Sequence, residues 1–464
     1  MTGKQTIHRF SFYFGALGMA FGLGNLWRFP YVVAENGGGA FVYLYIFMVT
    51  IIGVPLLIGE LIIGKASGKN IVGALKEIGG RFISQSPDKE KPIAQFKMRQ
   101  WLIVGALLNL LCIFVLAYFS IISGWVIHFF NQYLFALIRP HTFLGVSIMD
   151  GLLEKGWLQL LLASVHMIFT CILVQKSWGR RLDRIVGFTT PLFAGLIVWL
   201  VFKSLGSENA AQAIQFFLYP DFKKLTLSSL AAALGQMFFT LSVGFGVMVT
   251  IGSLLRKNSN IPMAGYRMAT FDSIISIVIG LLIFPIILIK DNSVSGPELL
   301  FRAIPHLLDS SFPAYFFGML FFLMLYLAAL AASVGLMRAV VGNIRELKVK
   351  SRSRAIWFSG LACMAASVLP ATTKSIFWSA LFKKRTLVAG IDMFLINWLL
   401  PLGALLMSQL LLYYVDQKLV EREFSLDSHP HARTMYRHWR IILKWVVPPI
   451  IIGALILQLI DAVT

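Results

Sequence analysis

The sequence predicts an all-α membrane protein with about 11 transmembrane helices, and three observations support this prediction. First, 58% of the 464 residues are hydrophobic, only 13% are charged, and the mean hydropathy is +0.77. An ordinary soluble domain has about 25% charged residues. Second, apolar runs of about 20 residues recur along the chain, which is the length that a helix needs to cross a bilayer. Third, these runs do not alternate between apolar and polar residues, which favours helices over barrel strands.

The predicted spans follow one another along the chain and are joined by polar connections. Their approximate bounds are residues 10–36, 39–64, 99–131, 156–175, 185–206, 227–255, 264–290, 313–344, 355–371, 387–416 and 439–461. The longest connections are residues 65–98, 207–225, 291–312 and 417–438. The third connection is rich in Gly and Pro, which predicts an extracellular loop with short helices, a candidate lid.

The distribution of Lys and Arg predicts the orientation in the membrane. The net charge is +20, and much of the excess lies in residues 176–184, 338–354 and 418–444. These connections fall on one side of the bilayer, so the positive-inside rule predicts a multi-pass protein of the cell (inner) membrane with a cytoplasmic N-terminus. Because the basic residues occupy short loops and no basic patch is interleaved with aromatics, the charge does not indicate a nucleic-acid partner.

The residues that most often carry catalysis or bind metals are scattered. The three cysteines, Cys112, Cys171 and Cys363, each lie within an apolar run and lack metal-ligand spacing, so we expect them to pack as small apolar side chains. His128 and His166 are isolated within spans, which favours packing over metal binding. No nucleophile elbow, P-loop or zinc motif is present, and we therefore predict that the chain is not an enzyme.

Two spans contain features that an uninterrupted transmembrane helix does not need. The first has glycines at positions 15, 18, 22 and 24, followed by Asn25 and Arg28, and the sixth has glycines at 235, 244 and 246 with Thr240 among them. Glycines alone could serve close helix packing, but buried polar side chains favour interrupted helices. The two spans lie five apart, as in an inverted repeat whose first helices are broken near the midplane. Broken helices expose main-chain groups that bind ions and carboxylates.

Four segments resemble the neurotransmitter:sodium symporter family in its bacterial, LeuT-type branch. They are GLGNLWRFP at residues 22–30, ENGGGAF at 35–41, GQMFFTLSVGFG at 235–246 and LLPLGALL at 399–406. The similarity extends from about residue 9 to about residue 416. The resemblance implies the LeuT fold in a single transporter domain over residues 1–464. Its two inverted five-helix repeats would be residues 10–206 and 227–416, and an extra C-terminal helix would be residues 439–461.

The resemblance also implies a sodium site, a substrate pocket and two gates. The first sodium site would use Ala20, Asn25, Thr240 and Asp272. The carboxylate of Asp272 would make chloride unnecessary; a purely structural buried acid is the alternative. The pocket would be lined by Ala20, Gly24, Val115, Tyr118, Phe119, Phe239, Thr240, Ser242, Phe245, Ala332 and Leu336. The outer gate would pair Arg28 with Asp392, unless the two form a permanent structural ion pair, and Glu346 would belong to the inner gate.

The sequence departs from the family pattern at three places. The tyrosine expected to hold the substrate carboxylate is replaced by Phe119, and Tyr118 lies one position earlier, about 100° around the helix. Ala331 and Ala332 replace two hydroxyl residues of the second sodium site, which would keep only the carbonyls of Gly18, Phe21 and Ala328. Finally, Gly3 and Thr6 replace the Arg and Trp of the inner gate.

These observations predict a secondary active transporter that carries a neutral, hydrophobic amino acid by alternating access. The apolar pocket residues favour a hydrophobic substrate, and Gly22 occupies the position where monoamine carriers have an aspartate. Sodium is expected at one site, with the second site weakened or absent, and the protein is expected to be a monomer or homodimer in the lipid bilayer. Two alternatives remain open: a sodium-independent carrier that is proton-coupled or exchanges substrates, and a sensor that binds an amino acid without transport.

Overall fold

The computed structural model describes residues 24–85, 91–139, 147–176, 179–256, 258–287, 298–308, 312–347, 349, 351–371, 387–425 and 431–463. This part of the chain is almost entirely helical, which confirms the predicted fold class. The first half of the first span lies outside the described residues. Ala20, Gly18, Phe21 and Gly22, and the inner-gate positions Gly3 and Thr6, lie there as well.

The α-helices are numbered in chain order. They are α1 Phe29–Glu35, α2 Gly39–Met48, α3 Val54–Ser67, α4 Ile71–Gln85, α5 Lys91–Ile138, α6 Ser147–Glu154, α7 Gly156–Gln175, α8 Gly179–Leu205, α9 Ala210–Leu218, α10 Leu227–Thr240, α11 Val247–Gly252, α12 Ile261–Ile287, α13 Leu299–Leu307, α14 Phe312–Glu346, α15 Arg352–Ala371, α16 Leu387–Asp392, α17 Leu400–Tyr413, α18 Gln417–Phe424, α19 Ala432–Trp445 and α20 Val447–Val463. Three π-helical segments, Gly24–Arg28, Val49–Gly53 and Met393–Leu399, adjoin α1, α3 and α17.

Within the described residues, nine helices are long and apolar enough to cross a membrane. They are Gly39–Ser67, Gln95–Ile138, Gly156–Gln175, Arg184–Leu205, Ile261–Ile286, Pro313–Glu346, Arg352–Ala371, Gly390–Tyr413 and Ala432–Ile460. Each corresponds to one of the spans predicted from the sequence. The two predicted spans without a counterpart are the first, which is described only from Gly24 onward, and the sixth, which is divided.

The sixth span is interrupted where its glycines predict a break. Helix α10 ends at Thr240 and α11 begins at Val247, and the backbone between them turns through residues 241–246. Gly244 and Gly246 have φ angles of 96° and 77°, in the region that favours glycine. A Cβ atom on Gly244 would also lie 2.6 Å from the carbonyl oxygen of Leu400. Glycine therefore allows this turn to lie against the backbone of α17.

Helices α3 and α11 touch backbone to backbone. A Cβ atom on Gly64 would lie 1.9 Å from the carbonyl oxygen of Val249, and one on Gly252 would lie 2.4 Å from that of Leu61. Glycine at both positions lets the two helix axes approach closely, as small residues do in other membrane helix pairs.

The last two helices form one end of the bundle. The indole Nε1 of Trp439 in α19 donates to the carbonyl of Pro55 in α3 at 3.0 Å, and α20 packs against α10 and α17. The connection predicted at residues 417–438 is partly helical, since α18 and the first half of α19 lie within it.

Candidate functional site

A small cavity lies beside the break between α10 and α11. Its wall comprises Gly24, Asn25, Val115, Phe119, Phe239, Thr240, Ser242, Phe245, Val247, Ala332 and Leu336. Nine residues that the sequence places in the pocket are in this wall. Of the other two, Ala20 lies outside the described residues, and Tyr118 is not part of the wall but bonds to Asp392.

The cavity wall is mainly apolar, and its polar groups are few. Phe119, Phe239 and Phe245 contribute aromatic rings, whereas the polar side chains in the wall are Asn25, Thr240 and Ser242. No Asp, Glu, Lys or Arg lines the cavity among the described residues. Ser242 has a φ angle of 55°, which is strained for a non-glycine residue and accompanies the turn between the half-helices. A cavity with this wall suits a small, largely apolar solute without net charge.

Asn25, Thr240 and Asp272 meet at one side of the cavity, although they come from three distant parts of the chain. The Nδ2 atom of Asn25 donates to Asp272 Oδ1 at 2.8 Å, and the Asp272 side chain is buried. Tyr45 donates its hydroxyl to Asp272 Oδ2 at 2.6 Å and lies 3.2 Å from Thr240 Oγ1. Ser276 Oγ donates to Asn25 Oδ1 at 3.0 Å.

This cluster provides carboxylate, amide and hydroxyl oxygens, the ligand type that hard cations prefer. The mixed oxygen cluster is therefore the candidate cation site. Within the described part of the chain, no group of three or more His, Cys, Asp or Glu side chains could hold a metal ion. Sequence reasoning missed Tyr45 and Ser276. Their polarity within apolar spans was a weak signal, but it did not indicate that they face Asp272.

Arg28 is held by three acceptors that belong to two parts of the bundle. Its Nε atom donates to the Asp392 carboxylate at 3.0 and 3.1 Å. Its Nη1 atom donates to Gln236 Oε1 at 2.7 Å, and its Nη2 atom donates to Asn397 Oδ1 at 3.0 Å. The arginine is only 1% exposed, so the ion pair depends on this set of hydrogen bonds to offset its desolvation.

Asp392 also accepts hydrogen bonds from two tyrosines. The hydroxyl of Tyr118 donates to Asp392 Oδ1 at 3.0 Å, and that of Tyr31 donates to Oδ2. Tyr118 therefore points toward the Arg28–Asp392 pair, while its neighbour Phe119 lines the cavity. The position where the family has its tyrosine, Phe119 in this chain, still faces the cavity. The tyrosine of this chain lies one position earlier and faces the ion pair instead.

One aromatic layer separates the ion pair from the cavity. The ring of Trp27 lies 5.5 Å from that of Tyr118 and 6.5 Å from that of Phe239, between centroids. Trp27 is fully buried, and Phe239 is part of the cavity wall. A solute in the cavity would thus be separated from the Arg28–Asp392 pair by this layer.

The described positions that the resemblance assigns to a second sodium site supply no hydroxyl group. Ala332 lines the cavity, Ala331 is partly buried, and Ala328 is buried on the same helix. The nearest hydroxyl in sequence, that of Ser333, is 2.8 Å from His166 Nε2 in α7. Because Ser333 turns toward α7, it does not replace the missing hydroxyls.

Glu60 in α3 supports the broken span. Its Oε1 atom accepts a hydrogen bond of 2.7 Å from the main-chain N–H of Gly244, within the turn that joins the half-helices. Glu60 is 1% exposed, and its Oε2 atom has no hydrogen-bond partner among the described residues. This contact gives Glu60 a structural role at the turn.

Glu346, the expected inner-gate acid, lies at the C-terminal end of α14. Its main-chain carbonyl accepts a hydrogen bond from Lys76 in α4. Its carboxylate packs against Gly73, where a Cβ atom would lie only 2.7 Å from Glu346 Oε1. The residues that would face Glu346 at the N-terminus lie outside the described residues.

Helix α13 covers the side of the bundle near the Arg28–Asp392 pair. It packs against the π-helical segment Gly24–Arg28, and the ring of Phe301 packs against that of Phe129 in a tilted arrangement, 5.2 Å between centroids. Arg302 forms an ion pair of 2.6 Å with Asp150 of α6. Burial raises the pKa of Glu298, the residue before α13, and the charge of Arg302 opposes this shift.

The chain is similar over nearly its whole length to known transporters. It is 29% identical to the uncharacterized sodium-dependent transporter YhdH of Bacillus subtilis, over 97% of this chain and 96% of the relative. It is 28% identical to an uncharacterized sodium-dependent transporter of Haemophilus influenzae, over 96% of this chain and 95% of the relative. The crystal structure of MhsT in complex with L-phenylalanine matches with a TM-score of 0.85 and 26% identity, over 98% of this chain and 99% of MhsT.

The sequence profile of one family also covers the chain almost from end to end. The match comprises residues 4–141 and residues 141–462. It includes the broken sixth span, the cavity wall and both members of the Arg28–Asp392 pair. The chain therefore belongs to the sodium:neurotransmitter symporter family.

Proposed function

We propose that this protein is a sodium-coupled symporter that carries a neutral, hydrophobic amino acid across the cell membrane by alternating access. The observation that carries the proposal is the position of the apolar cavity. It lies beside a helix break and directly beside the buried Asn25–Thr240–Asp272 cluster. Substrate and cation would bind in contact with each other, so each would increase the affinity for the other.

The substrate class is inferred from the cavity wall. Three phenylalanines favour an apolar side chain, and the MhsT structure was solved with L-phenylalanine. Phe119 offers no hydroxyl group to the substrate carboxylate. Main-chain N–H groups at the start of the helical segment 24–35, together with a bound cation, would hold that carboxylate instead.

Sodium is proposed to bind at one site. Asn25, Thr240 and Asp272 would supply side-chain oxygens, and the family resemblance adds the carbonyl of Ala20. The second site would be weak or absent, because Ala331 and Ala332 have no ligand atoms in their side chains. Asp272 supplies a negative charge beside the cation, so chloride would not be required.

Alternating access would use the two ends of the cavity in turn. With Arg28 bonded to Asp392, Gln236 and Asn397, the outer path would be closed, and α13 would cover it. Opening would break these charge-assisted hydrogen bonds, but it would also return Arg28 and Asp392 to water. Because the regained hydration offsets the lost bonds, the free-energy difference between the closed and open states would be small. Glu346 would contribute to closing the opposite end, with the N-terminus on the cytoplasmic side.

Uptake by proteoliposomes tests this proposal. Radiolabelled L-phenylalanine and L-leucine should accumulate under an inward sodium gradient and should not accumulate when choline replaces sodium. Absence of uptake and of binding for all twenty common amino acids, with or without sodium, would contradict the proposal.

Replacing Asn25 by Ala should abolish sodium-dependent binding, because it removes both an oxygen ligand and a hydrogen-bond partner of Asp272. Scintillation proximity binding of labelled L-phenylalanine across a sodium titration measures this effect. Asn109→Ala is the matched control, since Asn109 is also buried but bonds Asn343. If Asn25→Ala retained wild-type sodium affinity, Asn25 would not belong to the cation site.

Ala331 and Ala332 favour a second candidate, a sodium-independent exchanger or proton-coupled carrier. Such a carrier would take up substrate equally in sodium and in choline. Unlabelled substrate inside the vesicles would accelerate uptake by an exchanger, and an inward proton gradient would accelerate uptake by a proton-coupled carrier. A sensor would bind substrate saturably but show no counterflow. The same proteoliposomes therefore distinguish all three functions.

A further inference from the structure

The two acceptors that hold Arg28 from the tenth span are five residues apart. Asp392 binds Nε of Arg28, and Asn397 binds Nη2. On an α-helix, residues that share a face are three or four positions apart, so residues five apart diverge. The segment Met393–Leu399 is π-helical, and in a π-helix the backbone hydrogen bond joins residues i and i+5. This geometry brings Asp392 and Asn397 to the same side of the span.

A π-helical segment is rare and needs support from its surroundings. One support is a glycine in α10, since a Cβ atom on Gly235 would lie 2.3 Å from Asn397 Oδ1 and 3.0 Å from the carbonyl oxygen of Ile396. The absence of a side chain at this position lets α10 lie directly against the wider turn. Glycine permits this arrangement but does not hold it in place.

The second support comes from Gln458 in α20. With the amide of Gln458 oriented so that its oxygen and its nitrogen both meet complementary partners, the nitrogen donates to the main-chain carbonyl of Asn397 at 3.1 Å and the oxygen accepts from Trp398 Nε1 at 2.8 Å. Gln458 is 7% exposed in a helix of otherwise mainly apolar residues. A polar side chain in such a helix is costly unless it is bonded, and both of these bonds go to consecutive residues of the π-helical segment.

We propose that Gln458 is a positioning residue for the outer gate. By holding the main chain of Asn397 and the side chain of Trp398, it stabilises the π-helical segment and keeps Asn397 beside Arg28. Without it, the segment can relax toward α-helix, which turns Asn397 away from Arg28 and weakens the closed gate. The inference rests on the proposed role of the Arg28–Asp392 pair as that gate, and Gln458 itself does not line the cavity.

Hydrogen–deuterium exchange of the full-length protein in nanodiscs tests the positioning role directly. In Gln458→Leu, amides of residues 393–399 should exchange about fivefold faster than in the wild type, which corresponds to the loss of one net hydrogen bond. Gln159→Leu is the matched control, because it removes a similar buried bond, from Trp125 Nε1 to Gln159 Oε1 at 3.0 Å. This control should leave exchange of residues 393–399 unchanged. Wild-type exchange of this segment in Gln458→Leu would overturn the proposal.

Release of bound, labelled L-phenylalanine tests whether Gln458 acts through the gate. Gln458→Leu should release it about fivefold faster, whereas the same substitution in an Arg28→Ala background should have no further effect. A purely structural defect would accelerate release equally in both backgrounds, and that result would overturn the proposal. If the wild type bound no L-phenylalanine, the proposed substrate would be wrong, and the exchange measurement would still decide the role of Gln458.

Discussion

Asp392 is the residue on which the outer gate converges. It accepts hydrogen bonds from Arg28, Tyr31 and Tyr118, which come from two different spans. The family resemblance pointed to Arg28 and Asp392, and each is a lone charge in an apolar run, which requires a partner. It did not identify Tyr31, Gln236 or Asn397 as partners of this pair, since nothing in one sequence indicates which polar side chains of different spans meet.

Substitutions at the adjacent residues Tyr118 and Phe119 should affect gating and substrate binding separately. Phe119→Tyr places a hydroxyl group in the cavity wall, where it can bond the substrate carboxylate and increase affinity by about tenfold. Tyr118→Phe should instead accelerate substrate release, because Asp392 loses one of its donors. Equilibrium binding and release rates of labelled L-phenylalanine measure both effects. Reduced affinity in Phe119→Tyr would mean that the carboxylate binds elsewhere.

Restoring two hydroxyl groups should strengthen the second sodium site. In Ala331→Thr/Ala332→Ser, the sodium dependence of uptake should steepen from a Hill coefficient of about one toward two. Ala331→Val/Ala332→Cys is the control, because these side chains have similar volumes but no hard oxygen ligand. An unchanged Hill coefficient in the hydroxyl variant would show that these two hydroxyl groups are not sufficient to form the site.

At the scale of elements, the glycine pattern predicted where the sixth span breaks, and the break lies within residues 241–246. Glycine and buried polar residues leave a recognisable signal, because an unbroken helix has no need of them. The π-helical segments, by contrast, were not predicted. Met393–Leu399 has an ordinary apolar composition. Its π-helical conformation depends on contacts with Gly235 and Gln458, which lie far away in the sequence.

Gly244→Ala should destabilise the protein by more than about 2 kcal/mol. The residue has a φ angle of 96°, and a Cβ atom would lie 2.6 Å from the carbonyl oxygen of Leu400. Gly453→Ala in α20 is the control, since a Cβ atom there meets nothing within 4 Å and Ala favours helix. Thermal unfolding monitored by fluorescence-detected size exclusion compares the two. A wild-type melting temperature for Gly244→Ala would exclude the strained turn.

At the scale of the whole molecule, α13 joins parts of the bundle that are distant in the chain. Phe301 packs on Phe129 of α5, and Arg302 pairs with Asp150 of α6. The predicted loop at residues 291–312 contains this helix, as expected from its Pro and Gly pattern, and its role as a lid stays a prediction. Membership in a transporter family confirms the prediction that the chain is not an enzyme.

The packing of α13 should weaken as the pH rises. Burial raises the pKa of Glu298, so its neutral form is favoured in the packed state. The stabilisation is present below the ordinary carboxyl pKa of 4.5 and is lost as the pH rises through the raised pKa. Hydrogen-exchange protection of residues 299–307, corrected for intrinsic rates, should be greater at about pH 4.5 than at about pH 7.5. Glu298→Gln should remove the difference, and a pH dependence that persists in this variant would assign it to another group.

The backbone contact between α3 and α11 limits how these two helices can move relative to each other. With Gly64 against Val249 and Gly252 against Leu61, neither helix can slide past the other without main-chain atoms colliding. We therefore expect α3 and α11 to move as one rigid unit in any rearrangement of the bundle. Residues 241–246, which bond to this unit through Glu60, are where we expect it to bend relative to α10.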